Sequence, residues 1–246
     1  ISDTFNKNVA GCELTDIVRQ QKEHSVLKLS LPLRHYTVHP QPGNYAMLPA
    51  KGLSNIVIHN NTDELIDHYI SKIKKNGYQQ TIMITRSNNF NFHISSYVRK
   101  QIGFQTQMPV AGDLLLITQN NYLVPLVNGD FVEITAVGPM KLQANIPFAE
   151  ITVKGLHDGQ HHSCLLALSP LTRTRPNLSA DEFRSLMIDL ARRMRQKNIS
   201  QKSPLFTDAM RTDPYLNSLR AAYGYAVTCN KSQGGEWQHV YLHMET

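Results

Sequence analysis

At 246 residues, with an ordinary apolar share of 41%, the chain can bury a sizeable core as one large domain or two small ones. A net charge of +6 suits a polyanionic partner, and equally a merely solvated basic surface. Its three cysteines, Cys12, Cys164 and Cys229, lie far apart, which argues against a disulfide framework or a zinc site and fits a reducing, cytoplasmic compartment. No apolar run approaches the roughly 20 residues of a membrane helix, so no membrane partner is expected.

Residues 10–20 alternate apolar and polar from Cys12 to Val18, which predicts a strand. Ser25 to Leu33 reads as a short helix that Pro32 disrupts, and Pro40 to Leu53 as loop. The pattern then becomes α/β. Asn55-Ile-Val-Ile-His59 predicts a strand. Asn61-Thr-Asp-Glu64 is a capping box opening an amphipathic helix that Gly77 closes. Thr81-Ile-Met-Ile-Thr85 predicts a buried strand. Asn89 to Gln101 predicts a helix with Phe92, Tyr97 and Ile102 near one side. Strands alternating with helices argue for a parallel sheet with crossovers.

At about Pro109 the character changes. Gly112–Thr118, Val124–Val127, Phe131–Thr135, Ala149–Val153 and Ser163–Ala167 read as five short strands of a small barrel or sandwich. Gln119-Asn-Asn-Tyr122, Asn128-Gly-Asp130 and His157-Asp-Gly159 read as turns between them, the second as a type I′ hairpin turn. The adjacent His161 and His162 lack a third ligand at metal-site spacing, so no metal site is expected. Ser179-Ala-Asp-Glu182 opens a helix to about Lys197, with Phe183, Leu186, Met187, Leu190 and Met194 on one face. Its other side carries Arg184, Arg192, Arg193, Arg195 and Lys197, read as a solvated face with nucleic-acid backbone contact as the alternative. Asp213 to Ala221 predicts a further short helix.

The run Tyr225 to Thr228 then feeds a polar turn, Asn230 to Glu236, followed by a short run Val240-Tyr-Leu242. Two adjacent glycines let backbone N–H groups approach a ligand closely. Lys231 and Ser232 suit a phosphate, and Glu236 suits a sugar hydroxyl. Read alone, a Gly-Gly pair favours an ordinary β-turn or strand-to-helix loop. Ala226-Val-Thr-Cys-Asn-Lys-Ser-Gln-Gly-Gly-Glu236, however, resembles motif V of superfamily 1 helicases of the RecD/Dda-like branch, with Asn230 where the family usually has His.

Three further stretches carry the same resemblance. Glu13-Leu-Thr-Asp-Ile-Val-Arg-Gln20 resembles motif IV, which implies Arg19 as an arginine finger at the γ-phosphate and Gln20 beside the nucleotide. Thr85-Arg-Ser-Asn88 is similar to the segment that runs along the DNA backbone. Read as residues, Ser87 or Asn88 caps a helix, and both readings can hold because a helix N-terminus also binds phosphate. Arg99 matches a family arginine, with Ser95 where the family has Asn. Asp113 to Asp130 is similar to the signature of an SH3-like barrel inserted in the second motor domain, with Asn120, Asn121 and Tyr122 as candidate DNA contacts.

The resemblance implies an α/β fold: a RecA-like parallel-sheet domain of P-loop NTPase type, here without the phosphate-binding loop, carrying an inserted small SH3-like β-barrel. Residues 1–108 with 211–246 would form the motor domain, 109–178 the barrel and 179–210 a helical connector. It implies Gln20, Gln233, Gly234, Gly235 and Glu236 at the nucleotide. It implies Thr85, Ser87, Asn88, Thr228, Asn230, Lys231 and Ser232 at the DNA. Trp237 reads as packing beneath the loop, with base stacking as the alternative.

No G-x-x-x-x-G-K-[ST] loop occurs in the chain, and no acidic strand end like a magnesium-holding Asp-Glu pair precedes Arg19. The expectation is the C-terminal part of an ATP-dependent helicase, beginning at Ile1 as a fragment and inactive alone, that translocates 5′ to 3′ on single-stranded DNA. ATP and Mg2+ would bind in the full-length protein, shared with a missing N-terminal RecA-like domain, and not in this fragment alone. The alternatives are a non-catalytic nucleic-acid-binding module and a helicase–nuclease subunit.

Overall fold

The computed structural model describes residues 25–39, 48–50 and 52–244 of a mixed α/β chain. The chain forms two units, residues 1–60 and 61–246. In the first, helix α1 spans Ser25–Val38 and does not stop at Pro32. A proline inside a helix removes one main-chain donor and crowds the preceding turn. Hydroxyl donation from Ser30 to Leu27 O (3.2 Å) and from Thr37 to Leu33 O (2.9 Å) serves carbonyls on either side of it. Asn55–His59 is not a strand: Val57 and Ile58 are 71% and 68% exposed, so the run has neither a ladder nor a core to join. The strand expected at Cys12–Val18 lies outside the described residues.

In the second unit local chemistry sets the helices. Helix α2, Thr62–Asn76, starts where the Asn61 side chain accepts from Glu64 N (2.8 Å). It ends at Gly77, whose φ of 80° ordinary residues avoid. Its apolar stripe, Ile66, Tyr69, Ile70 and Ile73, is buried against strand β1, Thr81–Thr85. Helix α3, Asn88–Gln101, is capped by Ser87 Oγ accepting from Phe90 N (3.2 Å). The face it buries is Ile94, Ser95, Val98 and Arg99 rather than the expected Phe92 and Tyr97; Tyr97 is exposed.

Two sheets follow. The first is three-stranded and parallel, in the order β7-β1-β8, with β7 at Ala226–Thr228 and β8 at His239–Leu242. The second is five-stranded and antiparallel, in the order β5-β4-β3-β2-β6. Its members are β2 Leu114–Ile117, β3 Phe131–Gln143, β4 Ile146–Gly155, β5 His161–Ala167 and β6 Ala221–Tyr223.

Val124–Val127 is loop, because Pro125 lacks a ladder donor and the Asn121 carboxamide accepts from Leu123 N and Val124 N instead (2.8 and 3.0 Å). Strand β3 is much longer than expected. Two register shifts against β4 break the alternation that marks a strand in sequence. The β3–β4 turn has Ala144 and Asn145 at φ 51° and 63°, the signature of a type I′ hairpin.

Among the described residues this sheet does not close into a barrel. Edge strand β5 meets only the segment leading into β6, by one bridge from Leu166 to Leu219, with Leu219 N donating to Leu165 O (2.7 Å) and Ala167 N to Leu219 O (3.1 Å). One edge strand, β6, comes from residues beyond the 109–178 stretch expected to form the barrel.

Helix α4, Ala180–Gln196, has both halves of its capping box and buries Leu186, Leu190 and Met194; Phe183 is exposed. The helix expected at Asp213–Ala221 is a turn leading into β6. Asp213 Oδ1 accepts from Tyr215 N and Leu216 N (3.1 and 2.9 Å), which closes an Asx turn, and Pro214 reinforces it. The helix here is α5, Pro204–Thr212, announced by a Ser203 cap and proline at its first position.

A buried polar network ties the sheets together. Arg99 Nε and Nη2 reach Asp113 Oδ1 and Oδ2, both at 2.7 Å, and both side chains are almost wholly buried. Arg99 also donates to Thr106 O and Met108 O and stacks over Tyr223 at 4.5 Å. Burial works against the guanidinium's charge, yet the Asp113 hydrogen bonds and nearby fields hold its pKa above the usual arginine value. Asp113 further accepts from Val110 N (2.8 Å) and Tyr225 OH (3.2 Å). Tyr69 OH donates to Tyr225 O.

Candidate nucleic-acid and nucleotide site

Parallel strands β1 and β7 pair with Thr85 opposite Thr228, so their carboxyl ends lie side by side. That edge of an open α/β sheet is where the chain leaves each strand and where ligands usually bind. Two segments distant in sequence meet there: Thr85 to Asn88, and Thr228 to Ser232. Cys229 Sγ lies 3.7 Å from Thr85 O, and one short helical turn, α6, spans Cys229–Ser232.

The residues at this edge differ in what they offer. Thr85 is fully buried, and its hydroxyl donates to Asn91 Oδ1 (2.6 Å), so it positions the strand end rather than facing outward. Ser87 caps α3, and Ser232 Oγ donates to Cys229 O (2.9 Å). Asn88 and Asn230 are exposed, while Thr228 is half-buried and makes no side-chain cap. A shallow groove runs here, lined by Asn88, Asn91, Phe92, Arg173, Thr228 and Lys231. Arg173, which the sequence did not single out, lies in it with its guanidinium committed to Glu182 (2.6 and 2.8 Å).

On the other side of the loop is a cleft of about 790 Å³. Gln233, Gly234, Gly235 and Glu236 line it, facing the Asn128-Gly129-Asp130 turn and the Gly155–Asp158 turn. Gly234 has φ 85°, a conformation that needs glycine. Gly235 is covered by the Trp237 indole, so a Cβ there would overlap the ring. Trp237 in turn packs against the Ile82, Leu116 and Val227 cluster and meets Phe131 edge-on at 6.0 Å. It packs beneath the loop, as the sequence suggested.

The turn at Asn128 differs from expectation. Asn128 does not adopt a positive φ; only Gly129 does, at 107°, with Asp130 N donating to Val127 O (3.1 Å). This is a type II arrangement, not type I′. Lys231 Nζ donates to Asn128 Oδ1, a contact no local pattern in the sequence announces. Partial burial draws the Lys231 ammonium below the ordinary lysine range.

Other expected positions fall elsewhere. Arg99 is a buried structural residue, and Ser95 knits the β6–β7 connection, accepting from Ala226 N (3.1 Å) and donating to Tyr223 O (3.2 Å). Asn120 accepts from Asn128 N (2.9 Å), and Asn121 donates to Asn217 O (2.8 Å); both side chains hold loops. Tyr122 is 80% exposed. On α4, Arg184, Arg192, Arg195 and Lys197 are exposed, whereas Arg193 pairs with Asp189 and Asp213, both at 2.7 Å. Arg19 and Gln20 lie outside the described residues.

Among the described residues there is no His, Cys, Asp or Glu group arranged to hold a metal ion. Nor, among them, is there a helix long and apolar enough to cross a membrane. No protein-family model matches the chain, and no curated protein matches it at a significant level.

Proposed function

We propose that this chain is the second, RecA-like motor domain of a superfamily 1 DNA helicase of the RecD/Dda-like kind, with strands β2 to β5 of the open antiparallel sheet as its insertion. One observation supports the reading above the others. The two segments that resemble strand-contacting helicase motifs, Thr85 to Asn88 and Thr228 to Ser232, share one sheet edge in register. The glycine pair and Glu236 line a separate cleft across the same loop.

In this reading single-stranded DNA crosses the β1–β7 edge. Asn88, Thr228 and Lys231 contact its backbone, while Thr85, Ser87 and Ser232 fix the segments that carry them; Asn230, expected at the strand, lines the glycine-loop cleft instead. ATP lies between the loop carrying Gln233 to Glu236 and another motor domain, which supplies the phosphate-binding lysine and magnesium ligands. By the resemblance, Arg19 is assigned to the γ-phosphate and Gln20 to the nucleotide; both lie outside the described residues. ATP and Mg2+ supply the hydrolysis that moves the strand, 5′ to 3′. This chain's own residues orient the strand and close one side of the nucleotide.

The test uses the 246-residue chain. A fluorescent oligo(dT) should bind weakly, with affinity falling as salt rises, and ATP turnover should be absent. Robust ATP turnover by the chain alone, or no strand binding at low salt, would refute the reading.

A further inference from the structure

Among the described residues, Lys231 is the one that lines both the groove at the β1–β7 edge and the cleft holding the glycine loop. Its ammonium is tethered to Asn128, in the turn between β2 and β3 of the other sheet. That turn is itself braced. Asn128 N donates to Asn120 Oδ1 (2.9 Å) and Gly129 N to Ile117 O (2.9 Å), and Asp130 Oδ2 accepts from Val127 N (2.8 Å). The tether is chemically particular. A carboxamide oxygen accepts one of the three ammonium hydrogens and leaves two for a phosphate, and it does not cancel the charge. A carboxylate in its place would.

We propose that Asn128 is a positioning residue that aims the Lys231 ammonium at the phosphate of a bound strand, so that the antiparallel sheet sets the strand affinity of the motor loop. This rests on the functional reading above. Asn128 is exposed and lines the rim of the cleft, so its replacement changes the tether without opening the core.

The experiment compares wild type, Asn128→Asp, Asn128→Ala and Lys231→Met in oligo(dT) binding across salt, with the Lys231 ammonium titrated by NMR without DNA. Losing one phosphate contact on a single strand makes the log–log salt slope shallower by about 0.7, or roughly fivefold weaker binding at 0.1 M salt relative to 1 M. Lys231→Met and Asn128→Asp should each show this loss. Asn128→Ala should weaken binding with the slope unchanged. Asn128→Asp should raise the Lys231 titration midpoint, and Asn128→Ala should have no further effect in the Lys231→Met background.

If Lys231→Met loses binding while Asn128→Asp changes neither slope nor titration, the positioning role is overturned. If Asn128→Asp raises the titration but no variant, wild type included, binds DNA, the functional reading falls, the role at phosphate falls with it, and only the contact survives.

Discussion

At the residue scale the fold depends on a buried charge pair and the loop depends on a glycine. Asp113 gathers Arg99, Val110 N and Tyr225 OH in a site closed to water. Removing one partner strands the other as an uncompensated buried charge. Asp113→Ala should therefore cost about 3–5 kcal/mol in urea unfolding; a loss within the range of a surface substitution would contradict the network's importance. Gly235→Ala forces the indole of Trp237 off its seat at an overpacking cost of about 1–3 kcal/mol. Trp237 is the sole tryptophan, so the effect has a direct reporter. Its emission should shift to the red as the ring leaves the Ile82–Val227 cluster, and an unchanged spectrum would mean the loop tolerates a side chain there.

At the element scale the helices that carry explicit caps were legible. Asn61, Ser87 and Ser179 each start a helix within a residue of the expected position, because a capping side chain is a local instruction. The same rule, overlooked at Ser203-Pro204, would have found α5, and Asp213-Pro214 would have ruled out the helix expected after it. Strand lengths were less legible. In β3 the bulges erase the alternation, and Ala144-Asn145 lacks the Asn-Gly signal of a type I′ turn that Asn128-Gly129 displays without forming one.

The start of α4 also gives a pH prediction. Burial alone would raise the Glu182 carboxyl, but Arg173 and Ser179 N outweigh it and bring it down from 4.5 to about 2. The unfolded chain thus takes up the proton first as pH falls. The stabilisation is complete above about 4.5 and disappears as pH drops through about 2. The difference in urea midpoint between wild type and Glu182→Gln should stay constant from neutral pH to about pH 5 and shrink toward pH 2. A difference that persists undiminished at pH 2 would contradict the assignment.

At the scale of the whole molecule, the parallel sheet was legible because β1 and the run into β7 are short, apolar and bounded by turns. The order β7-β1-β8 was not, since strand partners far apart in sequence leave no local trace. The second sheet was legible as antiparallel β structure from about Pro109 onward. That it stays open, rather than closing into the expected barrel, was not, because closure depends on how Leu219 and β6 meet β5 and β2. The segment from Asn230 to Glu236 was legible as a polar turn built on two glycines, whereas the burial of Thr85 and the tether from Asn128 to Lys231 are long-range outcomes.

The central claim is that a nucleic-acid strand crosses the edge where Thr85 faces Thr228. Hydrogen exchange of the chain with and without saturating oligo(dT) tests it most directly. The account predicts new protection confined to residues 85–91 and 228–232. Protection confined to the basic face of α4, or none at either segment under binding conditions, would contradict it.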